Sequence, residues 1–250
     1  MMQTLSQHPP PERERPPWSW LDLWATAMLL IGAVGVMVVG LNILGPLFQL
    51  DIDGGAASPA LYVAGMMVYL SLLLGIYLFA ARRPGGWQAL GIRHVAWWVY
   101  ALLPLIWFVQ LPFLALINVV VVQLSGGQFE NPQIEAITGG GSMSLQDLLL
   151  LLVMVAGVVP IAEELFFRGM LYPLLRYHMG ALAAITISAA IFAAFHLILQ
   201  LLPALFWLGL ILAILRERTG STLPGIGLHA LQNGIALIIM FLSVSLNAGG

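Results

Sequence analysis

Five ionisable side chains in the C-terminal half stand where such groups are rare, inside or beside long apolar stretches. They are Glu163, Glu164, Arg168, His196 and His229, with Asn233 as a neutral companion. Ionisable groups within membrane-type segments are costly and mark functional sites by default. The first three lie in the run VVPIAEELFFRGM. Adjacent residues on a helix point about 100° apart, whereas residues four apart share a face. Glu164 and Arg168 are therefore expected partners, and Glu163 falls on another azimuth with no charge partner of its own. That division suits one carboxylate fixed by an ion pair and a second left free as a general base. His196 and His229 are the side chains that exchange protons near neutral pH. Asn233 shares a helical face with His229, as Phe192 does with His196.

Each residue also has a purely structural reading. A Glu–Arg pair can lock helices together, and a single His or Asn in a membrane helix commonly hydrogen-bonds across a helix interface. Concentration in one half of the chain favours a site. The first three apolar stretches are nearly free of such groups, and their Asn42, Gln110, Asn118 and Gln123 are expected to serve packing or the membrane interface.

The elements that must position these groups are apolar helices, expected at 21–48, 60–81, 95–124, 146–177, 180–200, 203–216 and 222–246. The chain is 60% hydrophobic and 8% charged over 250 residues, against about 25% charged in a soluble domain. Several runs approach the roughly 20 residues that cross a bilayer. The fold class is thus all-α: a polytopic membrane bundle of about seven helices, six to eight, in which the short 203–216 segment is the doubtful span. Three regions follow: a disordered tail over 1–17, membrane helices over 18–125, and a core carrying the polar cluster over 146–246. The tail lacks the basic start and cleavage site of a signal peptide. Arg-bearing connections (82–93, 168–176, 216–218) alternate with Arg-free ones (51–59, 125–147, 200–203). Under the positive-inside rule the N-terminus is cytoplasmic and the C-terminus outside, in a cell or inner membrane. Trp18, Trp20, Trp24, Trp97 and Trp98 are expected at the interfaces.

Depth is the difficulty. At about 1.5 Å per residue, Glu164 and His196 lie roughly 21 and 27 Å from the hairpin turn near His178. His229 lies only roughly 14 Å from the turn near Gly220 by the same rise. The levels agree if the first hairpin extends farther into the cytoplasm than the last turn. Pro160 removes a backbone donor beside the pair and is expected to loosen its helix.

With no cysteine, thiolate catalysis, disulfides and Cys-ligated zinc are excluded. No basic tract points to nucleic acid, and no internal repeat supports a proton-coupled transporter built on Glu163.

Three motifs in order carry a resemblance: Glu163-Glu164-Leu165-Phe166-Phe167-Arg168, Phe192-Ala193-Ala194-Phe195-His196 and His229-Ala230-Leu231-Gln232-Asn233. Over about residues 147–246 the chain resembles the CAAX prenyl protease and bacteriocin-processing (CPBP, or Abi) family of intramembrane proteases. The resemblance implies an endopeptidase acting on a membrane-associated or lipid-linked peptide, with the bilayer and that peptide as partners. Glu163, helped by His196, would activate a water; His229 and Asn233 would donate to the oxyanion; Glu164 and Arg168 would organise the site. It also raises a zinc ion on Glu163, His196 and His229, beside a metal-free glutamate mechanism that Asn233, a poor zinc ligand, favours. The alternative within the same fold is a non-enzymatic scaffold or a bacteriocin self-immunity protein. Substrate prenylation and oligomeric state are not legible in the residues.

Overall fold

A serine followed three residues later by an aspartate opens two of the long helices. Ser19 Oγ accepts from the Asp22 N–H while the Asp22 carboxylate accepts from the Ser19 N–H, and Ser144 and Asp147 repeat the arrangement. Each reciprocal cap satisfies two backbone donors that the helix start would otherwise orphan. Two of the chain's aspartates are therefore helix starts.

The computed structural model describes residues 15–50, 55–126, 132–139 and 142–248. The expected tail lies outside the described residues up to position 14. Among the described residues there is no strand. The long helices are α1 (Trp20–Phe48), α2 (Pro59–Ala81), α3 (Trp97–Leu124), α4 (Leu145–His178), α5 (Ala181–Phe195), α6 (Leu202–Thr219) and α7 (Leu223–Ala248). Short helices at Gly86–Ala89 and Pro132–Thr138 lie in the connections. Six of the long helices are long and apolar enough to cross a membrane, and α5, at 15 residues, falls short.

That reverses one expectation, since α6 was the doubtful span. Arg216, Glu217 and Arg218 form its last turn instead of a loop, and Gly220 at φ 65° closes it with its N–H on Arg216 O. The stretch expected as helix to position 200 stops at Phe195. Leu197 takes φ 56° there, and a 3-10 turn, Leu199–Leu201, leads into α6.

α4 is the central element. Its apolar side chains between Leu165 and Leu175, Pro173 excepted, belong to the main core cluster with Leu23 and Ala27 of α1, Leu72 and Ile76 of α2, Ala184 and Phe192 of α5 and Ala213 of α6. α5 and α6 approach closely because α6 carries Gly209, where a Cβ would lie 3.0 Å from Ala189 Cα; small residues permit such contact between membrane helices. α1 and α3 turn most of their apolar surface outward, as a lipid solvent allows.

The Arg-bearing connections gather at one end. Arg83 pairs with Asp22, Arg216 Nη2 donates to Ala89 O (3.1 Å), Arg93 Nε donates to Gly220 O (2.6 Å) and Arg176 Nε lies 3.1 Å from Glu217 Oε1. Trp18 is not interfacial: it is buried, and its indole N–H donates to Met170 O at 3.0 Å. Trp24, Trp97 and Trp98 are exposed.

Candidate active site

Two prolines shape the helix that carries the glutamates. Between Met154 and Val158, and again between Leu165 and Leu171, α4 widens into π turns. After the first, the Val159 N–H reaches back to Met154 O. The next donor in that register would be Pro160, which has none. Val155 O is left over, and Asn233 Nδ2 donates to it at 2.9 Å. After the second, the Tyr172 N–H reaches Phe167 O, Pro173 has no N–H, and Arg216 Nε donates to the leftover Arg168 O at 3.1 Å. The π turns straddle Glu163-Glu164 and give α7 and α6 fixed docking points. Such turns are frequent at functional sites.

Glu164 and Arg168 are fully buried. Arg168 Nη1 donates to Glu164 Oε1 at 2.7 Å, as their spacing predicts, and Nη2 donates to Gly209 O on α6 at 3.1 Å. Its guanidinium carbon stands 4.4 Å from the ring centroid of Phe192 on α5. One cation thus ties three helices together. α7 adds His229, whose Nδ1 lies 3.2 Å from Glu164 Oε1. A carboxylate paired with Arg168 only accepts, so Nδ1 carries the hydrogen and Nε2 presents its lone pair. Gly225 makes the approach of α7 possible, because a Cβ there would lie 2.9 Å from Glu164 Oε2.

Glu163 has more company than expected. Tyr69 Oη on α2 donates to its Oε1 at 3.2 Å, and His229 Nε2 lies 3.9 Å from its Oε2. His229 therefore stands between the two carboxylates. Glu163 Oε2 is buried without a hydrogen-bond partner among the described residues. It lies at a cavity of about 680 Å³ whose polar lining includes Tyr69, Glu163, His196, His229, Gln232 and Asn233, and whose remainder, toward Leu237 and Met240, is largely apolar. Tyr69 had no signal in the sequence: it sits in an apolar helix, 94 residues from its partner.

Despite the unequal distances from their turns, His229 and Glu164 meet, with Nδ1 3.2 Å from Oε1. Arg216 near the α6–α7 turn bonds Arg168 O, and Glu217 bonds Tyr172 and Arg176. The turn therefore packs against the side of α4. Its contacts run from Arg168 to Arg176 and end just short of the α4–α5 turn after His178.

His196 takes a different position from the one expected. It caps the end of α5, with Nδ1 2.9 Å from Phe192 O. Its ring and that of His229 both pack on Phe192, at 4.9 and 5.8 Å. It lines the cavity, but no hydrogen bond joins it to Glu163.

Residues 145–235 match the family model described as type II CAAX prenyl endopeptidase Rce1-like. The resemblance carried by the three motifs holds. This CAAX-protease-like segment contains all six candidate residues, while Tyr69 comes from outside it. No curated protein and no solved structure matches the chain. The segment is thus similar to type II CAAX prenyl endopeptidases, in a chain with six helices long and apolar enough to cross a membrane.

A catalytic zinc needs three convergent protein donors. Among the described residues no three His, Asp or Glu side chains are so arranged. Glu164 is committed to Arg168, and His196 Nδ1 to its own helix. The residues as placed do not fit a zinc site.

Proposed function

We propose that this protein is an intramembrane endopeptidase in which Glu163 activates a water for attack on a peptide bond of a membrane-associated or lipid-linked substrate. The observation that carries the reading is Glu163 Oε2: a buried carboxylate oxygen without a partner, at a cavity shared with two imidazoles and a carboxamide. Water bound at Oε2 gives a proton to Glu163 as its oxygen bonds the carbonyl carbon. The free N–H of Asn233 Nδ2 donates to the developing oxyanion, and His229 Nε2 joins it as a donor once it has taken up a proton. One such donor contributes about 3–4 kcal/mol. As the C–N bond breaks, Glu163 passes the proton to the leaving amine, giving a carboxylate and an amine. Glu164 and Arg168 orient His229 without touching substrate, and His196 stands at the cavity wall as a second proton carrier. The apolar part of the cavity suits a substrate delivered from the bilayer.

Membrane and secreted peptides from cells carrying the wild type or Glu163→Gln test the proposal. General-base loss should lower cleavage by about 10²–10⁴-fold, so C-terminal fragments should appear only with the wild type. A Glu163→Gln protein that is inserted, folded and fully active would overturn it.

A further inference from the structure

A second cavity, of about 610 Å³, opens at the Arg-rich end, and its lining includes Arg15, Arg93, Arg216, Pro84 and Pro173. No acidic side chain lines it among the described residues. The acids nearby are engaged elsewhere: Asp22 holds Arg83 and caps α1, and Glu217 holds Tyr172 and Arg176. The guanidiniums of Arg93 and Arg216 are instead held by backbone carbonyls. Arg93 Nε donates to Gly220 O, and Arg216 donates to the carbonyls of Arg168, Ala89 and Gly220.

The pair is positioned by the fold. Gly91 at φ 81° lies where a Cβ would come 2.8 Å from Arg216 Cζ, and Gly220 at φ 65° lies where a Cβ would come 3.0 Å from Arg93 Cζ. Thr222 Oγ1 and Ser221 Oγ clamp the same turn to Leu90 O and Arg93 O at 2.6 Å each. Two guanidiniums are therefore fixed beside one cavity with N–H groups unspent, since each has five donors. Cations brought together with no acidic partner among the described residues attract an anion, and guanidinium forks match phosphate oxygens bidentately. Trp87, on the Gly86–Ala89 helix, and Trp97 are exposed close by in sequence. Exposed tryptophans of this kind mark headgroup level.

We propose that this cavity binds a phosphate group, supplied by the headgroup of an anionic phospholipid at the membrane surface. The site is separate from the Glu163 cavity and does not depend on the protease reading. Basic pockets between membrane helices have the chemistry for such headgroups.

Full-length protein in detergent, mixed with phosphatidylglycerol, phosphatidylcholine or inorganic phosphate alone, tests this by native mass spectrometry and by the thermal midpoint. Phosphatidylglycerol should bind in preference to phosphatidylcholine. Arg93→Gln should weaken that binding about five-fold, the effect of one interfacial Arg. Arg15→Gln tests the same cavity at a side chain with no hydrogen bond among the described residues, so a folding defect in the first variant leaves the question answerable. Arg83→Gln, outside the cavity, should bind as the wild type. Binding of inorganic phosphate that Arg93→Gln or Arg15→Gln weakens, without a preference for phosphatidylglycerol, supports the phosphate site and makes the free anion its source. Equal retention of both lipids with no phosphate effect, or binding unchanged in both cavity variants, overturns it.

Discussion

Tyr69 and Gly225 serve the two glutamates in opposite ways. Tyr69 reaches in from α2 and donates to Glu163 Oε1, which leaves Oε2 as the oxygen without a partner among the described residues. Tyr69→Phe keeps the ring and removes that donor. A hydrogen bond to a charged group contributes about 1.5–3 kcal/mol, so kcat should fall by about tenfold or more. KM should stay near wild type, because Tyr69 positions the base without contacting substrate. An equal rise in KM with kcat unchanged would instead make Tyr69 a substrate contact. Gly225 acts by absence. Its missing side chain lets α7 bring His229 to Glu164, whose carboxylate cannot retreat because Arg168 holds it. Gly225→Ala should therefore cost activity at least tenfold, measured as cleavage by membrane-inserted protein, while the more distant Gly157→Ala, with only a Cβ contact of 3.8 Å to Leu152 O, should be tolerated.

The element that decides the site is α4, and its two π turns explain why Asn233 and Arg216 stand where they do. Pro160→Ala supplies an N–H that can bond Ala156 O, which lets the Val159 N–H move from Met154 O to Val155 O. α4 should then run closer to a regular α-helix, releasing Asn233 and rotating Glu163 away from the cavity. Folded yield should be unchanged and activity should fall at least tenfold. Asn233→Ala alone leaves Val155 O unpartnered, a loss of about 1–3 kcal/mol that should lower the thermal midpoint. The double variant should recover that stability without recovering activity, a non-additivity expected where two changes share one hydrogen bond. Additive midpoints would refute the pairing. Much of this element was legible beforehand. The i,i+4 spacing gave Glu164–Arg168, and Pro160 marked a loosened helix. The widening itself was not legible, because Pro173 and the side chains that dock on the freed carbonyls act across the bundle. The end of α5 was missed for a related reason. An apolar run continues to position 199, and only the left-handed turn at Leu197 and the His196 ring on Phe192 O stop the helix.

At the scale of the molecule, helix number followed from hydropathy, and the gathering of the Arg-bearing connections followed from their alternation along the sequence. The burial of Trp18 did not, since nothing local distinguishes it from Trp20 or Trp24; its partner, Met170 O, lies 152 residues away. That contact ties the start of the chain to the central helix, and Trp18→Phe should lower the thermal midpoint by the equivalent of about 1 kcal/mol. Orientation in the bilayer is the remaining consequence of the segregated charge. We propose that the Arg-rich end, with the chain's N-terminus, faces the cytoplasm, as the positive-inside rule requires. The chain has no cysteine, so single replacements report cleanly. His94→Cys, in the Arg-rich connection, should resist a membrane-impermeant maleimide in intact cells and react after permeabilisation. Ser142→Cys, just ahead of the α4 cap, should react in intact cells. The reverse pattern would invert the topology and place the Arg-rich end outside.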